Sequence, residues 1–177
     1  MPFMETFPWL AKMNPMAANG FTAGDDVSVF EYPMIDSKGR DYTLNVSPLI
    51  CYEDLLPELS RRSVERGADV LVSLSNDAWF GDTVASRQHH MIASFRAVET
   101  GRPLIRSTNT GFTAIVSKYG ETTASLPPYS DGLLESEILD PTHNVQTIYT
   151  KYGDLPWQIL SVLIAVIVLL RIKNVRE

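Results

Sequence analysis

The chain has 177 residues, 45% hydrophobic and 20% charged, with a net charge of −6. That length and composition suit one folded domain and exclude a disordered chain. The acidic balance, with no basic run before Arg171, argues against nucleic acid as a partner, and a lone cysteine, Cys51, excludes a disulfide scaffold.

Residues 1–20 are rich in methionine, proline and aromatics, with Glu5 the sole acid and Lys12 the sole base. They predict a loop leading into a short helix at about Phe7 to Met13. Such a segment suits a lid over an apolar substrate, a surface on lipid, or plain packing against the core. Residues 1–9 show no signal-peptide pattern. Gly20 to Asp26 reads as a turn, and Val27 to Tyr32 alternates as a strand should. Asp36 to Arg40 then turns a hairpin, and Asp41 to Val46 pairs back.

The chain next enters Ser47-Pro48-Leu49-Ile50-Cys51-Tyr52-Glu53-Asp54. Leu49 and Ile50 deliver the cysteine, and acidic residues follow at once. A buried strand ending on a nucleophile reads this way. The bend beyond such a strand pushes the side chain out of the sheet and frees backbone N–H groups for an oxyanion. The other reading of Cys51 is a small buried hydrophobe, the usual state of a free cysteine.

Leu55 to Arg66 carries Leu55, Leu56, Leu59, Ser63 and Val64 at helical spacing, with Gly67 as its cap. Asp69 to Ser75 is nearly continuously apolar, which predicts a strand covered on both faces. Asn76 to Asp82 is a loop. Ala85 to Thr100 is a long helix with Met91, Ile92, Phe95 and Val98 on one stripe, broken by Gly101-Arg102-Pro103. Leu104 to Thr108 is a strand, Asn109 to Gly111 turns, Phe112 to Ser117 returns, and Lys118 to Glu121 makes a second hairpin turn. A last strand is expected within Gly132 to Leu139. This order describes an α/β layered domain. It sets the loops at Cys51 and Asn76 to Asp82 on the same carboxyl edge, where ligands bind in such sheets.

Leu155 to Leu170 is free of charge. Its 16 residues span about 24 Å as a helix, slightly short of a bilayer core. Ile172 and Val175 extend the apolar face while Arg171 and Lys173 snorkel, and Tyr152 and Trp157 sit at an aromatic belt. A buried core helix is the competing reading. Arg171, Lys173 and Arg176 place the C-terminus in the cytoplasm and the folded domain outside it.

Several segments resemble the second half of a nitrilase-superfamily domain: Ile50-Cys51-Tyr52-Glu53, Gly67 to Val72, Ser75 to Gly81, Arg96 to Pro103, and Arg106 to Gly111. Within that superfamily the Asn-Asp-Ala-Trp-Phe-Gly loop, the Arg-Pro-Leu-Ile-Arg-Ser-Thr-Asn run and the terminal apolar helix are most similar to the bacterial apolipoprotein N-acyltransferases. The resemblance implies the second half of an αββα sandwich over residues 1–146. A juxtamembrane segment, a transmembrane helix at about 155–172 and a basic tail would follow over 147–177. It implies a Glu-Lys-Cys triad with Cys51 as nucleophile, the Tyr52 backbone N–H as oxyanion donor and Glu53 in support. Glu5 falls on an essential loop glutamate, while Trp79, Phe80 and Asn76 fall on the substrate-binding loop. The implied reaction needs no metal or cofactor. It moves a fatty acyl chain from a phospholipid, through a cysteine thioester, to the α-amine of a diacylglyceryl-cysteine apolipoprotein. It runs at the bacterial inner membrane, with the catalytic domain on the periplasmic side.

The family's general-base glutamate and its lysine lie upstream of the segment matched by Met1 to Glu5, so a C-terminal fragment is expected, with a separate N-terminal half as a further partner. Since a free thiol ionises near pH 8.5 and is mostly protonated at neutrality, the fragment alone is expected to be inactive. The alternatives are a nitrilase-like amidase or C–N hydrolase, and an inactive membrane-anchored remnant. His89, His90 and His143 offer Cys51 no local pairing, and adjacent helical histidines point about 100° apart, too far to chelate together. Glu53 and Glu99 are candidate ion-pair partners of Arg96 or Arg106, and Asp77 and Asn109 are expected to fix loops through backbone bonds.

Overall fold

The computed structural model describes residues 24–136, apart from 25 and 37, and residues 146–176. Glu5, Lys12, His143 and the helix expected at Phe7 to Met13 lie outside the described residues.

Among the described residues six strands form one sheet in chain order: β1 (Phe30–Ile35), β2 (Asp41–Ile50), β3 (Val70–Ser75), β4 (Leu104–Thr108), β5 (Thr113–Val116) and β6 (Thr122–Leu126). β2, β3 and β4 are parallel, and antiparallel hairpins flank them on both sides. Asp36 fixes the first hairpin by accepting from the Lys38 and Arg40 backbone N–H groups, each at 2.8 Å. Gly39 supplies the positive φ of 76° that this turn needs. The β1 ladder stops at Val46, so Pro48 has no β1 partner to lose.

Two helices cross between the parallel strands, α1 (Pro57–Glu65) and α2 (Val84–Thr100). Pro57 opens α1, where its missing N–H costs nothing. Gly67 closes it at φ 94°, its N–H bonded to the Val64 carbonyl. Thr83 caps α2 by accepting from the Ala85 N–H, and Gly101 ends it in the left-handed conformation. The core lies between these helices and one sheet face, built from Leu49, Val64, Ala68, Leu71, Ala93, Ala97, Leu104 and Val116. Leu104 has no exposed surface. Chemical denaturation of Leu104→Ala should show a loss of about 2–5 kcal/mol, the transfer and cavity terms together.

Several expectations change. The first strand lies at Phe30–Ile35 rather than Val27 to Tyr32, because its register is set by the Asp36 turn. Among the described residues the last strand follows the Lys118 to Glu121 turn directly as β6; residues 132–136 are not strand, and the rest of the expected strand lies outside the described residues. β3 is covered on its helix side at Leu71, Ser73 and Ser75, while on its other side Val70 is buried, Val72 is half-buried and Leu74 is 47% exposed. The apolar stripe of α2 is likewise outward. Met91, Ile92, Phe95 and Val98 are all exposed, and the buried face is Ser86, His89, His90, Ala93, Arg96, Ala97 and Thr100. Small and polar side chains there let α2 approach the sheet closely.

A short helix α3 (Ile148–Tyr152) docks on α1 and α2 and leads into α4 (Leu155–Arg176). The Thr147 hydroxyl donates to the Glu99 carbonyl at 2.5 Å and accepts from the Thr150 N–H at 3.0 Å. Arg61 donates to the Thr150 carbonyl from α1. Leu155–Ile172 has a mean hydropathy of 2.2 and none of it is buried. This helix is long and apolar enough to cross a membrane, and it is not packed into the core of the described residues.

Candidate active site

β2 ends at Ile50, and the next residue, Cys51, takes φ 55°. A left-handed backbone at a non-glycine residue carries strain, and such strain concentrates at functional positions. Cys51 opens a single 3-10 turn, Cys51–Leu55, and is half-buried. The first N–H groups of a helical turn, that of Tyr52 among them, have no partner within the turn.

Three contacts pin this turn. Glu53 reaches back to accept from the Ile50 N–H at 2.7 Å. Arg96 donates to the Leu55 carbonyl at 3.0 Å. Asp54 is fully buried and accepts from the Ser73 hydroxyl at 2.6 Å. Glu53 therefore serves its own backbone rather than pairing with Arg96 or Arg106. Glu99 does pair with Arg96, at 2.7 Å.

β3 lies beside β2 in parallel, Ile50 opposite Leu74, so the loop after Ser75 shares the edge with Cys51. That loop is a second 3-10 turn, Asp77–Phe80. The Asn76 side chain accepts from the Ala78 N–H and from the Asn109 amide, and Asn109 in turn accepts from the Asp77 N–H at 3.1 Å. Trp79 is 86% exposed. Phe80 is half-buried and forms a T-shaped pair with Tyr52 at 6.3 Å between centroids. Ile50, Tyr52, Leu56 and Trp79 leave an exposed apolar rim along this edge.

Beneath both turns lies a buried charge cluster. Asp77 accepts from Ser75 at 2.7 Å, Ser86 at 3.2 Å and Arg106 at 3.2 Å, and meets His89 Nδ1 at 3.2 Å. Its role is thus side chain to side chain, not the backbone bond expected of it. Burial opposes its ionisation. Hydrogen bonds from His89 and Ser75 and the Arg106 charge nonetheless hold it well below the usual carboxylate range. His89 Nε2 meets Asp54 Oδ1 at 2.7 Å, and Arg106 Nε approaches Asp54 Oδ2 at 3.4 Å. His90 points elsewhere, to Thr122 at 3.0 Å, with its ring stacked on Phe112. Burial, and then the Arg106 and His89 charges, lower its pKa.

Two members of this cluster were missed in sequence. Asp54 lies three residues past the cysteine and Arg106 on the buried face of β4, two positions after Leu104. The period of two was the available signal: it turns Arg106 inward, and a buried guanidinium needs acids. His89 cannot serve Cys51 as a base while both its nitrogens face carboxylates.

The class so defined is an α/β domain that presents a cysteine on a strained bend at the carboxyl edge of its parallel strands. Residues 3–142 match the family model for carbon-nitrogen hydrolases, and the chain belongs to that family. An apolipoprotein N-acyltransferase of Shewanella oneidensis is 40% identical over 166 residues, which make up 90% of this chain and 30% of that protein. One from Vibrio vulnificus is 38% identical over 174 residues, 93% of this chain and 32% of its own. One from Borreliella burgdorferi reaches 47% over 109 residues, 61% of this chain and 20% of its own. The chain spans about a third or less of the length of these relatives. A solved amidase from Nesterenkonia sp. AN1 superposes with a TM-score of 0.46 at 20% identity, over 61% of this chain and 41% of its own.

Proposed function

We propose that this chain is the acyl-carrying part of an apolipoprotein N-acyltransferase, with Cys51 as nucleophile. The observation that carries this reading is the strained bend at Cys51, set above a turn pinned by Glu53, Asp54 and Arg96. The relatives' names supply the chemistry. The Cys51 thiolate attacks an ester carbonyl of a phospholipid. A C–S bond forms, the ester C–O bond breaks, and the lysophospholipid leaves as an alkoxide that takes a proton. The α-amine of a diacylglyceryl-cysteine apolipoprotein then attacks the thioester, an amide forms, and the thiol returns. The Tyr52 N–H is assigned to stabilise the oxyanion at each step. Trp79, Phe80 and Asn76 form the loop that receives the acyl chain, and exposed Trp79 supplies its apolar surface. Glu5 is assigned the loop glutamate's role.

Residues 1–146 are assigned to the acyl-carrying domain and 147–177 to its anchor. Eighteen residues of α4, Leu155–Ile172, give about 27 Å of apolar helix, enough to anchor the domain with the basic tail cytoplasmic. The chain spans about a third of its relatives' length, and the base that takes the thiol proton and the lysine that steadies the oxyanion are assigned to the part of such a protein that it does not span.

Intact mass after incubation with phospholipid in detergent micelles tests the reading. Co-expression with an N-terminal half from a relative should give an acyl-sized increase, absent in Cys51→Ala and released by neutral hydroxylamine. No increase with that half present overturns acyl transfer. An increase without it overturns the need for the upstream groups.

A further inference from the structure

His89 sits beneath the two turns of the site with both ring nitrogens facing acids. Nε2 lies 2.7 Å from Asp54, in the turn that begins at Cys51. Nδ1 lies 3.2 Å from Asp77, in the turn that carries Trp79. An ionised carboxylate only accepts hydrogen bonds, so each contact needs an N–H. Either neutral tautomer would turn one nitrogen lone pair toward a carboxylate oxygen. The surroundings fit a charged ring. Tyr52 stacks on it at 5.6 Å between centroids and 21° between planes, which turns a π face toward the ring, while Phe80 meets it T-shaped at 5.8 Å between centroids. Arg106 faces the same two acids from β4, at 3.4 Å from Asp54 and 3.2 Å from Asp77. Two carboxylates and two cations thus close the charge of the cluster. His90, the next residue on α2, turns to Thr122 and brings no acid.

We propose that His89 is a positioning residue: its doubly protonated ring ties the Cys51 turn to the Trp79 turn, and so links the geometry at the nucleophile to pH. The proposal rests on Cys51 being the nucleophile. Burial works against charge on this ring, but hydrogen bonds to Asp54 and Asp77 outweigh it and raise the pKa to about 8. An unfolded histidine titrates near 6.5. The tie is therefore complete below that value and is lost as pH rises through about 8. A neutral ring keeps one of the two bonds, and the acid left facing a lone pair is held by its other partners alone, which loosens its turn.

Nitrogen NMR of the chain in detergent micelles, with isotope-labelled histidine, reads the ring directly. The His89 signals are assigned by their absence in His89→Gln. Both nitrogens should carry protons at neutral pH and titrate together near pH 8. A single-proton tautomer at neutral pH overturns the proposal, and that measurement on the native chain does not need the variant to fold well. The second readout is the rate of Cys51 alkylation by iodoacetamide across pH, in the native chain and in His89→Gln. Glutamine keeps a neutral N–H donor for one acid. The two rates should differ several-fold below the titration and converge above it. A ratio that is constant with pH marks a merely structural histidine and overturns the proposal. Neither readout involves an acyl donor. A Cys51 that alkylates with this pH profile but never takes an acyl group supports the tie and overturns only the acyl-transfer reading.

Discussion

The Arg106→Met variant should lose about 3–5 kcal/mol of folding stability, because it strips one cation from a buried cluster and leaves the acids behind. The Arg106 side chain has no exposed surface, and neither have those of Asp54 and Asp77. Methionine fills much of the same volume, so little of the loss comes from a cavity. With arginine present the four charged groups sum to zero. Without it one negative charge stays buried unpaired, and the Phe112 carbonyl loses its donor as well. Thermal unfolding followed by circular dichroism in micelles should show a midpoint lower by roughly 10 °C. Asp77→Asn in the same background restores neutrality and should recover part of the loss, a positive coupling in a double-mutant cycle. A single variant within about 1 kcal/mol of the native chain would mean that the cluster does not hold the sheet edge together.

That cluster also shows where sequence reasoning reaches and where it stops. The parallel strands, the crossing helices and the shared edge of the two loops were legible because hydrophobic period and glycine placement report them locally. Cys51 was legible as a strand-end residue for the same reason. Of the two readings of Glu53, ion-pair partner or support, the ion pair does not form, because a carboxylate three residues beyond a strand end has a nearer choice, the Ile50 N–H, and takes it. The outward turn of Met91, Ile92, Phe95 and Val98 was illegible for a different reason. Helical period locates a stripe but not the side that the sheet takes, and here the sheet takes the side with Ala93 and Ala97, which permits closer approach. The meeting of Asp54, Asp77, His89 and Arg106 is non-local, with partners up to 52 residues apart, and only the strand order brings them together.

Placing the cluster under the loops rather than in the core has a consequence for the site. Each turn on its own is a short 3-10 segment, a form with weaker hydrogen-bond geometry than an α-helix. Asp54 and Asp77 give each turn a buried foot, and the same two cations hold both feet. The position of Cys51 and that of the Trp79 loop therefore answer to one set of contacts. Exposed Trp79 needs such an anchor, since its own side chain makes little packing that would order the loop.

Gly111→Ala is the sharper probe of that anchor. A Cβ at Gly111 would overlap the Asp77 carboxylate and come within 2.6 Å of the Ser86 hydroxyl. Gly111 is buried, so the methyl group has no outward escape. Neither neighbour yields freely, because Asp77 is fixed by Ser75, His89 and Arg106, and Ser86 donates to it. Overpacking alone costs about 1–3 kcal/mol. Displacing a carboxylate from two cations adds a buried-pair penalty of similar or larger size. Chemical denaturation should therefore show a loss of at least about 3 kcal/mol, with faster amide hydrogen exchange across Asp77–Phe80 than across β4. The origin of the loss is tested with Asp77→Ala. If the clash is with the carboxylate, the double variant should be no less stable than Asp77→Ala alone, since the added methyl then occupies space that the acid has vacated. Fully additive losses would instead mean that Gly111 acts through its backbone, and the Asp77 foot would not be what fixes the Trp79 turn.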